Sequence, residues 1–173
     1  RRELGTATAA TGFFRGLGVE WCAAVAPQAE PPELPASLQA RGLVHGYAWA
    51  KFRRGVGDPP MSTSELRVEQ AGETEAKAFA ETFVRGYGVP ELMRDWLARL
   101  PGRKGWHCFV AYDGETPAAT GAVFAHGGAG WLGVAATLPE HRRRGAQGAL
   151  LGARIRAAAE AGCEVVVTET GAL

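Results

Sequence analysis

The chain has 173 residues, with 19 Lys and Arg against 18 Asp and Glu, a net charge of +1 and a pI near 8.0. That balance gives no global field for nucleic acid or an anionic membrane, and no apolar run approaches the length of a transmembrane helix. Three cysteines, Cys22, Cys108 and Cys163, are odd in number and widely spaced; this argues against a disulfide framework or a metal site and for thiols kept reduced in a cytoplasmic protein.

The first sixty residues read differently from the rest. Pro27, Pro31, Pro32, Pro35, Pro59 and Pro60 are six of the ten prolines. Arg1 and Arg2 precede a Gly, Thr and Ala stretch too weakly apolar for a signal peptide. Residues 20–26 read as a strand, 32–40 as a short helix and 44–52 as a second strand, followed by the Gly and Pro pattern of a linker. The predicted organisation is a segment over 1–57, a linker over 58–63 and a main domain over 64–173.

In the main domain, residues 65–69 alternate as a strand does, and 74–100 hold two helical stretches parted near Gly86 to Pro90. Residues 106–112 and 116–125 flank Asp113-Gly114 and read as a hairpin. After His126-Gly127-Gly128, an apolar strand from Gly130 leads into Pro139-Glu140-His141-Arg142-Arg143-Arg144-Gly145-Ala146-Gln147-Gly148. A helix follows, with Ala146, Ala149, Leu150, Ala153 and Ala157 on its buried stripe and Arg154, Arg156 and Glu160 on the wetter side, stopped by Gly162. The β-branched run at 163–168 is the next strand, parallel to the one before the turn, since a strand-helix-strand unit of this length makes a crossover.

The turn between strand and helix carries the chemistry. A helix start leaves backbone N–H groups without internal partners and bears partial positive charge, so an anion collects several bonds there. Gly145 and Gly148 lack a Cβ, which lets a diphosphate approach the backbone and permits positive φ. Three arginines add forked donors suited to phosphate oxygens. Gly145→Asp then becomes the expected probe of the phosphate side. A P-loop is disfavoured, because the turn lacks a Gly-Lys-Ser/Thr ending.

The string from residue 134 through 151, VAATLPEHRRRGAQGALL, resembles the acyl-coenzyme A binding motif of the GNAT acetyltransferase superfamily. The resemblance implies a mixed α/β fold: a predominantly antiparallel sheet with one parallel β-α-β coenzyme A unit and flanking helices. It implies that Arg142, Arg143, Arg144, Gly145, Ala146, Gln147 and Gly148 hold the diphosphate of acetyl-CoA, the cosubstrate, while Val134, Ala135 and Ala136 lie along the pantetheine. Gln147 departs from the pattern, which has Gly or Ala there. Its side chain has either to point away from the phosphates or to bond to them. The order of elements over 64–173 is also similar to the superfamily's.

The helix, Gly and strand before residue 57 resemble the closing part of such a domain in degenerate form, with Leu43 after Gly42 in place of Phe and Leu38 where the family commonly has a tyrosine acid. That segment is expected to be the tail of a preceding, inactive GNAT-like domain, or else to complete the sheet of the main domain. The chain stops after the fifth family strand, where the family adds a helix and two strands, and is expected to be a fragment of a longer protein.

The expected activity is N-acetyl transfer from acetyl-CoA to an amine by direct attack, with a backbone N–H at a bulge around residues 134–136 on the thioester oxygen. The family's acidic residue is missing from the fourth strand, so the expected base is Glu169, with His126 in the preceding turn as second candidate. The alternative is a non-catalytic GNAT-like module that binds coenzyme A or a protein partner. Neither nucleic acid, membrane nor metal is an expected partner, and a homodimer is compatible with the sequence.

Overall fold

The alternation around residues 106–125 becomes the centre of a six-stranded mixed sheet. Its strands are β1 (Trp49–Gly55), β2 (Arg67–Ala71), β3 (Trp106–Asp113), β4 (Thr116–His126), β5 (Ala129–Thr137) and β6 (Val165–Gly171), in spatial order β1-β6-β5-β4-β3-β2. Every neighbouring pair is antiparallel except β5 with β6, joined by the crossover helix. The computed structural model describes residues 2–171.

Helices α3 (Ala76–Tyr87) and α4 (Met93–Leu97) bury Phe79, Ala80, Val84 and Leu97 against Cys108, Val110 and Ala122 of the sheet. On the opposite face α5 (Ala146–Glu160) buries Leu150, Ile155 and Ala158 against Val123, Leu132 and Val166. Both faces of the central strands are therefore covered, which explains their long apolar runs. Gly88 ends α3 in the left-handed conformation at φ 82°, its N–H donating to the Val84 carbonyl. No helix among the described residues is long and apolar enough to cross a membrane.

Arg154 departs from the expected wet side of α5. It is 5% exposed, and its stem and guanidinium occupy the space left by the missing side chain of Gly121 on β4. Among the described residues its side chain makes one hydrogen bond, from Nε to the Leu150 carbonyl at 3.2 Å, and burial pulls its pKa down to about 10. Gly121 supplies the room that α5's own pattern could not reveal.

The chain parts into two units between Ala48 and Trp49, not after residue 57. The first contains α1 (Arg2–Gly16) and α2 (Leu34–Gln39). Arg41 links them, donating to Thr8 Oγ1 at 2.7 Å and to the Ser37 carbonyl at 2.6 Å. Leu38 is a buried packing residue of α2. The strand expected over 20–26 is irregular, because no neighbouring strand pairs with it among the described residues. The other strand, expected over 44–52, forms as β1, starting five residues later and ending three later, paired along its whole length with β6, from Trp49 opposite Gly171 to Gly55 opposite Val165. It thus completes the sheet of the second unit.

Candidate active site

At its far end β5 leaves the ladder in two ways. It pairs with β6 only over Ala129–Trp131, opposite Val165–Val167, after which the strands diverge. On its other edge, Gly133 lies opposite Ala122 and Ala136 opposite Thr120, so Val134 and Ala135 together face Gly121. This is a β-bulge, and Val134 takes φ +48° to make it. A β-branched residue in that region is an outlier costing about 1–3 kcal/mol, of the kind that collects at functional sites. The bulge falls on Val134 and Ala135, two of the three residues expected along the pantetheine.

Beyond β5 a short 3-10 turn (Pro139–His141) leads into the arginines. Arg143 has φ +62° and Gly145, capping α5, has φ +78°. Their two left-handed steps turn successive N–H groups toward one side. Among the described residues, no acceptor meets the N–H groups of residues 143–148; the first bond of the helix is from Ala149 N–H to the Gly145 carbonyl. The carbonyls are held from behind: Ser64 Oγ donates to Arg144 O at 2.8 Å and Ser62 Oγ to Gly145 O at 3.4 Å. Carbonyl and N–H point oppositely across a peptide, so these bonds aim the amides of Gly145 and Ala146 away from the serines.

The stretch expected as a free linker therefore packs along α5. A Cβ on Gly145 would sit 3.1 Å from Ser64 Cβ, one on Gly148 3.5 Å from Ser62 Oγ, and one on Gly152 2.9 Å from the Pro60 carbonyl. These glycines admit the strand-like segment behind the helix. For Gly145 and Gly148 this corrects the expectation that the missing side chains leave room for a phosphate: the space a Cβ would take lies against Ser64 and Ser62.

The three arginines have different work. Arg142 reaches across to Thr137 O and Gly86 O, both at 3.4 Å. Arg144 makes a bidentate pair with Asp113 of β3, at 2.5 and 3.0 Å, and His141 Nδ1 lies 3.4 Å from the same carboxylate. The hydrogen bond from Arg144, then its charge and that of His141, hold the Asp113 carboxyl below its usual range despite the opposing effect of desolvation. Arg143 has no hydrogen-bond or charge partner among the described residues. It borders both a groove of about 580 Å³ and a second of about 310 Å³ behind the turn, where Glu65 also lies. The larger groove runs between Gly86 and Tyr87 of α3, Ala135 to Thr137 of β5, and the turn from His141 to Gly148. It unites the bulge with the free amides.

Gln147 lines that groove, and its side-chain amide reaches to the sheet, donating from Nε2 to Ala136 O and Thr137 Oγ1, each at 3.0 Å, and Thr120 O at 3.3 Å. The departure from the family pattern is thus a strut to the sheet.

The two expected bases fare differently. His126 pairs with Ala129 at the opposite end of β5, about 15 Å from the bulge at the rise of a strand, and its ring stacks on Phe124. That distance removes it from the groove's chemistry. Glu169 stands on β6 two residues past Val167, in the diverging part, with its carboxylate one-third exposed and paired with Lys51 of β1. Continued register would bring it level with Gly133, one residue before the bulge. Asp113, Ser62 and Ser64 were not among the expected site residues. Asp113 reads in sequence only as a hairpin residue, and the serines carry no signal without knowing what lies beside α5. Among the described residues no cluster of three His, Cys, Asp or Glu could hold a metal.

The family model of the acetyltransferase (GNAT) domain matches residues 51–172. No curated protein sequence matches the chain. Among solved structures, a GCN5-related N-acetyltransferase from Kribbella flavida is 19% identical with TM-score 0.56, covering 80% of this chain and 54% of its own. The chain thus spans about half the length of that protein. AAC(6')-Iy, solved with the bisubstrate analog CoA-S-monomethyl-acetylneamine, is 17% identical with TM-score 0.54, covering 62% of this chain and 80% of its own. A predicted acetyltransferase from Clostridium acetobutylicum, solved with acetyl-CoA, is 14% identical with TM-score 0.53, covering 61% and 81%. At these identities the likeness is one of fold.

Proposed function

Because the chain belongs to the GNAT acetyltransferase family, we propose that the groove binds acetyl-CoA and that the protein transfers its acetyl group to an amine by direct attack. The observation that carries this reading is the continuity of one groove from the turn with unpaired amides at residues 143–148 to Ala135, the bulge residue that follows the strained Val134. The amides and the free Arg143 suit a diphosphate, and the open edge of β5 suits an extended arm carrying amides of its own.

Acetyl-CoA supplies an electrophilic thioester carbonyl and a thiolate leaving group. The protein's part is to hold that carbonyl oxygen on a main-chain N–H of the bulge, where negative charge develops. As the amine nitrogen bonds to the carbonyl carbon and the carbon–sulfur bond breaks, the amine's proton passes to Glu169, directly or through one water, and the thiolate leaves to be protonated by solvent. Arg142 and Arg144 shape the turn, while Arg143 meets the phosphates. The pairing of Glu169 with Lys51 supports a second reading, a coenzyme A binder without chemistry, since the carboxylate proposed as base is already partnered.

Titration calorimetry with acetyl-CoA tests the groove, and release of free thiol on adding a panel of primary amines tests the chemistry. Binding with amine-dependent thiol release that falls in Glu169→Gln supports transfer; binding without release for any amine supports the second reading; absence of binding overturns both.

A further inference from the structure

We propose that Gln147 is a positioning residue that holds the β5 bulge in register, and with it the main-chain N–H that meets the thioester. The catalytic half of this proposal rests on the function proposed above; the bracing half does not.

A bulge can slide. The extra residue of β5 is confined to Val134–Ala135 only if the ladder resumes firmly at Thr120 opposite Ala136. Val134 at φ +48° pulls against that arrangement, and such a residue persists only where its surroundings over-determine it. Gln147 acts on the resuming pair itself: its Nε2 donates to the carbonyls of both Thr120 and Ala136, and to the hydroxyl of the next residue, Thr137. Two N–H bonds serve three acceptors, so one hydrogen is shared. The side chain comes from the second residue of α5, whose backbone is one of the free amides of the turn. One residue therefore ties the anion end of the groove to the bulge end. A Gly or Ala at this position would have no side-chain donor for either carbonyl.

Two other side chains press on the bulge without fixing its register. The indole of Trp131 covers Gly133 so closely that a Cβ there would overlap it, and the Arg154 guanidinium lies against Gly121 on the other strand. Both fill space; only Gln147 bonds to the pair that resumes the ladder.

The test compares wild type with Gln147→Met, which keeps length and removes the donors, and Gln147→Ala. Amide hydrogen exchange at residues 134–136 is expected to quicken about tenfold in both, with protection in the middle of α5 unchanged. Affinity for coenzyme A is expected to hold within about twofold, while kcat falls about tenfold at constant KM for acetyl-CoA, because the lost contact belongs to the transition state. Gln147→Asn, too short to span the gap, should not rescue. Unchanged exchange at 134–136 in Gln147→Met would overturn the brace. Faster exchange at 134–136 together with equal loss of coenzyme A affinity and of α5 protection would reduce Gln147 to a structural residue and overturn the proposal. Should the wild type bind no acetyl-CoA, the proposed function falls, and the exchange rates still decide the brace.

Discussion

Arg142, Arg143 and Arg144 are chemically alike in sequence and unlike in the structure, and their mutants should separate accordingly. Of these three, Arg143 alone has a guanidinium without a partner among the described residues, and Arg143→Ala should weaken acetyl-CoA binding about tenfold with no change in melting temperature. Arg144→Ala should weaken binding less and lower the melting temperature, since its bond is to Asp113; calorimetry and thermal melts on the same samples check both. The Asp113 carboxyl sits below its ordinary value of 3.8 in the folded chain. The contribution of that link is therefore present above the unfolded value and is lost as pH falls through the folded one. Wild type should lose its stability margin over Asp113→Asn below about pH 4, measured as the difference in melting temperature across pH. Gly145→Asp, the natural probe from sequence, acts on the wrong side: its side chain meets Ser64, at φ +78°, and should destabilise by about 1–2 kcal/mol from backbone strain alone. Urea unfolding should show that loss even without ligand.

At the scale of elements, α5 does three things with one sequence. Its first turn offers free amides, one face carries Leu150, Ile155 and Ala158 into the core, and the line Gly145, Gly148, Gly152 receives residues 60–64. Those residues lie against the helix because carbonyls of the turn need donors and the serines supply them. Gly152→Val should test this contact. Its Cβ would fall 2.9 Å from a backbone oxygen that cannot rotate away, so overpacking of about 1–3 kcal/mol is expected in urea unfolding, with acetyl-CoA affinity falling as the turn shifts. β1 teaches a similar lesson from the other edge of the sheet. Residues 49–55 alternate weakly and are largely exposed, so their periodicity says little; their place is set by the open edge of β6.

Across the whole molecule, the cysteines show how burial governs chemistry. Desolvation pushes the Cys108 thiol up to about 12, and Cys163 is raised by the same cause, while Cys22 is exposed. A thiol reagent at neutral pH should modify Cys22 quickly and reach the other two only on unfolding; the time course of labelling under native and denaturing conditions measures this. The elements over 65–168 could be read from the chain because periodicity, Gly stops and the Asp113-Gly114 turn are local signals that the core then reinforces. α1 could not, since its apolar residues do not gather on one stripe, and the strand read at 20–26 did not form, because a strand needs a partner the local pattern does not name.

The sequence by itself determined the turn: where α5 begins, that its first amides lack acceptors, and that arginines stand beside them. Those follow from which residues are neighbours along the chain. The tertiary structure alone decided which arginine stays free, which way Gln147 points, that Arg154 is buried over Gly121, and that Lys51 pairs with Glu169. Each of these joins residues far apart in the chain, and such pairings depend on register and on space left by a missing side chain, which no local pattern encodes.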